Sequence, residues 1–465
     1  MPDTDIAHRA SEDKAPIDEG VITLLLGFTI VLVIMNTMMF NLALPDVALD
    51  FGLSSTSVSW IVTGYSILFA ISSITYSRLS DFVPIRRLYV IGLLSFGGAA
   101  ILGLFSDSFL PLLFARLIQA SGAGAIPALS MVLITRYVPV DRRGKAMAAI
   151  MSAASLGLGL GPVIGGVIVE YLGWHVLFGV TALTLLLIPF YIRLLPKEKP
   201  AKGSFDVLGA LFAGIGTTGL LLFLTSQAWY WLGAGLAAIF LFVVRIRIAK
   251  DPFVQPSLFR NGRYLTVSAV GIGAYLCSFA TLFILPQILV HQFELTASQA
   301  GFIIFPGSML AMILSRSVGR IIDRYGNRLI IRAIPLLMLA SVVLFALFAA
   351  RSYWAIVFIY MIMSVGFTFL SSSVSNELSR LLPGSQVGSG LGLFQLLQFF
   401  SGAFGIAATA TALEWQHART LAAAYGSIFW GMVAIVLLAM ACGYFYTRPG
   451  KSSSKSAASS LSSTP

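Results

Sequence analysis

Charge is scarce in this sequence. Asp, Glu, Lys and Arg together make up 11% of 465 residues while 57% are hydrophobic. That is too little charge to cover a soluble globule, so lipid has to be the solvent for much of the surface. Cysteine is nearly absent: Cys277 and Cys442 both fall in apolar runs, where they read as packing residues and not as a disulfide. The four histidines, His8, His175, His291 and His417, are scattered, and no His or Cys spacing suits a metal. No Gly-x-x-x-x-Gly-Lys-Ser/Thr phosphate loop occurs and no long soluble segment interrupts the apolar runs. ATP-driven work, an enzyme and a receptor with a signalling domain are all disfavoured, and no cofactor is implied.

What the chain does have is apolar length. A helix needs about 20 residues to cross roughly 30 Å of hydrocarbon. Fourteen runs qualify, near 21–43, 57–78, 87–106, 109–135, 145–168, 174–195, 206–226, 230–249, 265–288, 297–318, 329–349, 353–376, 387–410 and 421–446. The expected fold class is therefore an all-α polytopic membrane protein. An even number of spans puts both ends on one side.

The net charge of +11 identifies that side. Of the 30 Lys and Arg residues, 27 lie in the two tails and in the connections after helices 2, 4, 6, 8, 10 and 12. The positive-inside rule makes all of these cytoplasmic. Arg351 and Arg419 fall on the other side, and Arg116 lies within helix 4. Trp60, Trp174, Trp229, Trp231, Trp354 and Trp415 mark the outer helix ends, where amphipathic rings favour headgroups; Trp430 does not. The basic residues never build one stripe with interleaved aromatics, which argues for lipid and against nucleic acid as partner. Helix 1 is too long for a signal-peptide core and is expected to be retained. Residues 1–20 and the Ser-rich 448–465 are expected to be cytoplasmic tails, the second disordered.

An internal repeat organises the spans. The connection after helix 2 reads YSRLSDFVPIRRL and the one after helix 10 reads SVGRIIDRYGNRL. Arg78 and Arg320, Asp81 and Asp323, and Arg86 and Arg328 each recur at an offset of 242 residues. That offset covers eight helices, which gives a 6+2+6 plan. Its units are an N-terminal six-helix bundle at 21–196, a linker with two inserted helices at 197–264 and a C-terminal bundle at 265–447.

Together with the helix 4 run Arg116-Leu117-Ile118-Gln119-Ala120-Ser121-Gly122-Ala123-Gly124 and the helix 5 run Gly157-Leu158-Gly159-Leu160-Gly161-Pro162-Val163-Ile164-Gly165-Gly166, this loop resembles the major facilitator superfamily. The resemblance covers essentially the whole membrane region. It extends to the fourteen-helix branch of drug:proton antiporters, which includes the tetracycline exporters of Gram-positive bacteria. It implies two pseudo-symmetric bundles that rock about a central site and export amphipathic drugs, tetracycline-like compounds among the candidates, in exchange for protons. The implied setting is a bacterial cell membrane, with a small-molecule substrate, protons and lipid as partners and the chain acting as a monomer.

The motif residues carry physical readings of their own. Asp81 lies among Arg78, Arg86 and Arg87 at a helix end, so it can latch helices through charge-assisted bonds, or form an ordinary interfacial cluster. The resemblance implies a cytoplasmic gate built from these residues and from Asp323, Arg320 and Arg328, although Ser77 and Pro84 stand where the family has glycines. Gly157, Gly161 and Gly165 share one helix face that admits a close neighbour, and Pro162 allows a bend. This is a packing seam or, as the resemblance implies for the run through Gly166, a moving interface between the halves.

Arg116 lies about two turns inside helix 4, where a cation needs a wet cavity or a partner. The alternative is snorkelling to the outer headgroups. Gln119 shares its face. Asn36 and Asn41 in helix 1 and Gln395 and Gln398 in helix 13 are neutral polar candidates for a pathway, or for interhelical glue. Relatives carry carboxylates where this chain has Asn36 or Thr37, Leu158 and Gly402, so the coupling residue is unidentified. An Arg116 without a buried acid also suits a second reading, an exporter of an anionic metabolite or antibiotic.

Overall fold

The apolar runs coil into helices because each backbone polar group in a spanning segment has to be satisfied internally. The computed structural model describes residues 19–198 and 205–447. The N-terminal tail up to residue 18, the tail 448–465 and the basic residues Lys199 and Lys202 lie outside the described residues, as do the side chains of Arg142, Arg143, Lys145, Arg316 and Asp323. Among the described residues there are fourteen helices long and apolar enough to cross a membrane, and no strand.

The first bundle is α1 (Glu19–Phe51), α2 (Ser55–Leu79), α3 (Ile85–Leu104), α4 (Phe109–Tyr137), α5 (Val140–Leu172) and α6 (Val176–Leu194). An inserted pair follows, α7 (Val207–Ser226) and α8 (Trp229–Ile248). The second bundle is α9 (Gly262–His291), α10 (Ala297–Ser315), α11 (Arg324–Phe348), α12 (Tyr353–Leu381), α13 (Gly384–Trp415) and α14 (Leu421–Thr447).

Several boundaries differ from the apolar runs, each for a local reason. Both α5 and α13 start directly after a proline, Pro139 and Pro383, several residues before their apolar run begins. α6 tightens to a 3₁₀ turn at Leu183–Leu187, because Pro189 in the next turn has no N–H to return to the carbonyl four residues back. α10 runs into α11 without an intervening loop, the chain turning at Gly326 within the first turn of α11, with φ 76° and ψ 155°, a conformation glycine adopts freely. Its counterpart in the first half is Pro84, which cannot take positive φ and stands instead at the start of α3 with φ −53°.

The two bundles pack by the same scheme. In the first, α1 lies on α5, and α4 lies on α2 and α3; in the second, α9 lies on α13, and α12 lies on α10 and α11. The halves meet along two seams, α5 against α10 and α2 against α13. Phe69 of α2 and Phe399 of α13 touch across the second seam with ring centroids 4.6 Å apart.

The inserted hairpin closes on itself where Gly216 and Gly219 meet Gly235 and Ile239. It lies over the α2–α13 seam, with Leu221 packed among Ile67, Ala403 and Ala407. Asp206 anchors its base by accepting from the Gly209 N–H at 3.1 Å, the Phe253 N–H at 3.2 Å and the Arg245 guanidinium at 2.8 Å. Burial acts to raise this carboxyl, but the Arg245 bond and the two backbone donors prevail and hold it below its usual value.

Candidate functional site

Near the middle of the helices a cavity opens between the halves, with about 650 Å³ of free space including the part open to solvent. The second bundle supplies most of its wall from α9, α10 and α12, and the first contributes Met38 of α1 and Leu158 of α5. Phe279, Tyr360 and Phe367 give aromatic faces, while Met312 and Met363 give deformable thioether surface. Ser278 also lines it, and its buried Oγ has no hydrogen-bond partner in the protein. No charged side chain lines the cavity. A largely apolar wall with few polar groups is the usual make-up of a small-molecule site.

Arg116 is elsewhere. It is fully buried inside the first bundle, the largest such side chain among the described residues. Its Cζ lies 3.9 Å from the Phe40 ring centroid and 4.1 Å from that of Tyr65, so the guanidinium is sandwiched between aromatic rings of α1 and α2. Its Nη1 donates to Asn36 Oδ1 at 2.9 Å and to Gln119 Oε1 at 2.5 Å. Asn36 in turn donates to Thr181 Oγ1 at 2.6 Å, tying α1, α4 and α6 together. Nε and Nη2 of Arg116 and Nε2 of Gln119 have no partner in the protein, and among the described residues no carboxylate pairs with the guanidinium. Desolvated stacking on two rings is worth about 2 kcal/mol or more per ring, which offsets part of the burial penalty.

Of the polar residues expected to line a pathway, the structure gathers Asn36, Arg116 and Gln119 into this cluster. Asn41 and Gln398 are buried with an unpartnered amide atom each, Gln395 is half-buried, and none of the three lines the cavity. Leu158, the position where relatives carry a carboxylate, does line it; the other lining residues were missed because Met, Phe and Ser inside an apolar run carry no sequence signal distinguishing pathway from packing. Met38, two residues from Asn36, is the nearest miss.

The basic connections are knit differently from the expected arginine latch. Asp81 pairs with Arg136 of α4 at 3.1 Å, and not with Arg78, Arg86 or Arg87. The hub is Glu198, just past α6, which accepts from the Ile85 N–H at 2.6 Å and the Tyr137 hydroxyl and lies 3.6 Å from Arg136 Nη1. The second half repeats the junction with other chemistry. Glu377 of α12 accepts from Asn327 Nδ2 at 2.8 Å and from the Tyr446 hydroxyl of α14. Asn327 Oδ1 accepts from Ser373 at 3.1 Å and Asn376 at 3.3 Å. Arg320 donates to Ser317 Oγ at 3.1 Å, and Arg328 lies 6.0 Å from the Tyr446 ring.

The helix 5 run presents two faces. Gly157, Gly161 and Gly165 seat α1 of the same half: a Cβ at Gly157 would lie 2.8 Å from the Val31 carbonyl oxygen, one at Gly165 would lie 2.8 Å from Met39 Cα, and one at Gly161 would collide with Met38. The other face meets α10. Gly301 packs on the Pro162 carbonyl, and a Cβ at Gly166 would lie 2.5 Å from the Ala297 carbonyl oxygen. The spaced glycines are thus an internal seam, and Pro162 and Gly166 pack against the opposite half.

Comparison with known proteins agrees with this architecture. The family model described as Major Facilitator Superfamily matches residues 26–406. The chain is 25% identical over 424 residues to the riboflavin transporter RibZ of Clostridioides difficile (strain 630), covering 88% of this chain and 93% of that one. It is 25% identical over 413 residues to the multidrug resistance protein Stp of Mycobacterium tuberculosis (strain CDC 1551 / Oshkosh), covering 85% and 76%. Among solved structures, a POT family transporter in complex with 5-aminolevulinic acid superposes with a TM-score of 0.67 at 15% identity, over 91% of this chain and 96% of that one. With fourteen helices able to span a bilayer, two bundles of one packing scheme and a cavity between them, the chain is a multi-pass membrane transporter belonging to the major facilitator superfamily.

Proposed function

We propose that this chain exports amphipathic, largely aromatic small molecules by alternating access, in exchange for protons, with its basic face in the cytoplasm. The observation that carries the substrate class is the charge-free cavity between the halves, walled by Phe279, Tyr360, Phe367 and methionines, with the Ser278 hydroxyl unpartnered. A flat ring system fills such a wall, and one polar substituent satisfies the serine. Likeness to a multidrug resistance protein supports export, and likeness to a riboflavin transporter supports a planar heterocycle as cargo. The basic connections support the orientation. Proton exchange rests on the resemblance to the drug:proton branch alone, since no carboxylate lines the cavity.

The test is uptake into everted membrane vesicles, with and without an imposed pH gradient, of riboflavin, tetracycline, a cationic dye and an anionic dye. Gradient-dependent uptake of neutral or cationic aromatics is expected, together with its loss in Met363→Trp, which fills the cavity. Uptake of the anionic dye alone would overturn the substrate class, and uptake indifferent to the gradient would remove proton exchange.

The unpaired nitrogens of Arg116 favour a second reading, an anionic cargo that reaches the first bundle. It requires the Phe40–Tyr65 sandwich to open, and the first reading does not.

A further inference from the structure

The repeat extends to the face opposite the basic connections. Leu53, Ser54, Thr56 and Ser57 at the start of α2 recur as Leu295, Thr296, Ser298 and Gln299 at the start of α10, each 242 residues on. The N-cap residues Ser54 and Thr296 share φ −71° and ψ 160°. Each caps the third residue on, Ser57 N at 3.2 Å and Gln299 N at 3.3 Å. The helices that end beside them also finish alike, α5 with Glu170-Tyr171 and α13 with Glu414-Trp415.

Each of these two carboxylates reaches across to the other half. Glu170 Oε2 accepts from the Ser298 backbone N–H at 3.1 Å, and Glu414 Oε2 accepts from the Thr56 hydroxyl. The two donors are themselves 242 residues apart, so one contact is built twice, once on each seam. In both cases the carboxylate sits at the first turn of a helix, where unpaired N–H groups and the helix dipole favour negative charge. Bonds to an ionised acceptor are roughly twice as strong as neutral ones. Among the described residues no cation pairs with either carboxylate.

We propose that Glu170 and Glu414 form a doubled, proton-released latch: ionised, they hold the halves together at the face opposite the basic connections, and acid on that side releases both and opens the cavity to it. A proton binding to either oxygen weakens the bond across the seam, so protons bind more tightly when the halves are apart and shift the population that way. The proton acts at the latch and returns to the side it came from. The inference therefore goes beyond the export reading and stands whether or not transport is proton-exchanging.

Other ionisable groups lie on this face. Asp46 and Asp50 of α1, His291 at the end of α9, Glu294 between α9 and α10, and His175 before α6 lie on the Glu170 side; Asp46 is within electrostatic reach of Asp50 and His291. His417 and Arg419 follow Glu414, and His417 Nδ1 bonds the Glu414 carbonyl at 2.8 Å. The test has to separate these from the latch.

Spin labels at Leu110→Cys and Trp354→Cys, in full-length protein carrying Cys277→Ala and Cys442→Ala, report the distance between halves across this face. As pH falls from about 7.5 to about 3.5, a window that reaches below the model-peptide carboxylate values of about 4, the long-distance population is expected to grow. In Glu170→Gln with Glu414→Gln it is expected to be large already at neutral pH and to lose its pH response. Each single variant and Thr56→Val, which keeps both carboxylates, are expected to shift the population part of the way. Three results would overturn the latch: a parent protein insensitive to pH, a double variant still closed at neutral pH, or a double variant that keeps its response, which would assign it to Asp46 and its neighbours. Asp46→Asn is the matching control and is expected to retain the response. The readout needs no substrate, so failure of the export reading leaves it intact.

Discussion

Arg116 is held by geometry that a smaller side chain cannot reproduce. Removing it strands Asn36 Oδ1 and Gln119 Oε1 in the interior, and each unsatisfied acceptor costs about 1–3 kcal/mol. Arg116→Ala is therefore expected to lower the unfolding midpoint measured in detergent, and Arg116→Lys to recover little of it, because an ammonium cannot lie flat between two rings. If the cargo is a neutral aromatic, vesicles matched for folded protein should transport it with either variant; loss confined to anionic compounds would transfer the site to the first bundle. The arginine and its i, i+3 partner Gln119 were legible because a charge and an amide stand out in an apolar run. Phe40 and Tyr65 were not, since nothing marks one aromatic among 34 Phe and 15 Tyr as a stacking partner. Met38 and Ser278 were illegible for the same reason.

Helix 5 shows how far a spacing rule reaches. Three glycines four apart do predict a close neighbour, and α1 is there, but the rule is silent on whether that neighbour belongs to the same half. Gly161→Ala sets a Cβ against Met38 and is expected to destabilise by about 1–3 kcal/mol through overpacking. Gly159→Ala, whose Cβ would lie 3.9 Å from Ser308, is expected to stay within about 0.5 kcal/mol. Thermal unfolding in detergent separates the two, and equal midpoints would contradict the packing described. The fourteen helices themselves were legible from apolar length alone. Their ends were not: Pro139 and Pro383 start α5 and α13 early, and Gly326 turns α10 into α11 without a loop. The charge pattern suggested Arg78, Arg86 and Arg87 as partners of Asp81, but proximity in sequence does not place side chains. Arg136 and Glu198, 55 and 117 residues further along the chain, do the joining.

The orientation that the basic residues imply is open to direct measurement. In cells expressing the protein with Cys277→Ala and Cys442→Ala, a membrane-impermeant maleimide is expected to label Arg419→Cys and to spare Arg87→Cys until the membrane is permeabilised. The reverse pattern would invert the transporter. The 242-residue repeat was legible at the basic connections because charges are rare and conspicuous there. At the other face its small hydroxyl residues pass unnoticed until the fold brings Thr56 to Glu414 and Ser298 to Glu170. The inserted pair α7 and α8 breaks the two-fold likeness. It screens the α2–α13 seam from the bilayer, while the α5–α10 seam has no such cover among the described helices. A solute dissolved in the bilayer thus meets two unequal flanks: the hairpin covers one, and along the other Leu158 and Ile313 are 37% and 52% exposed.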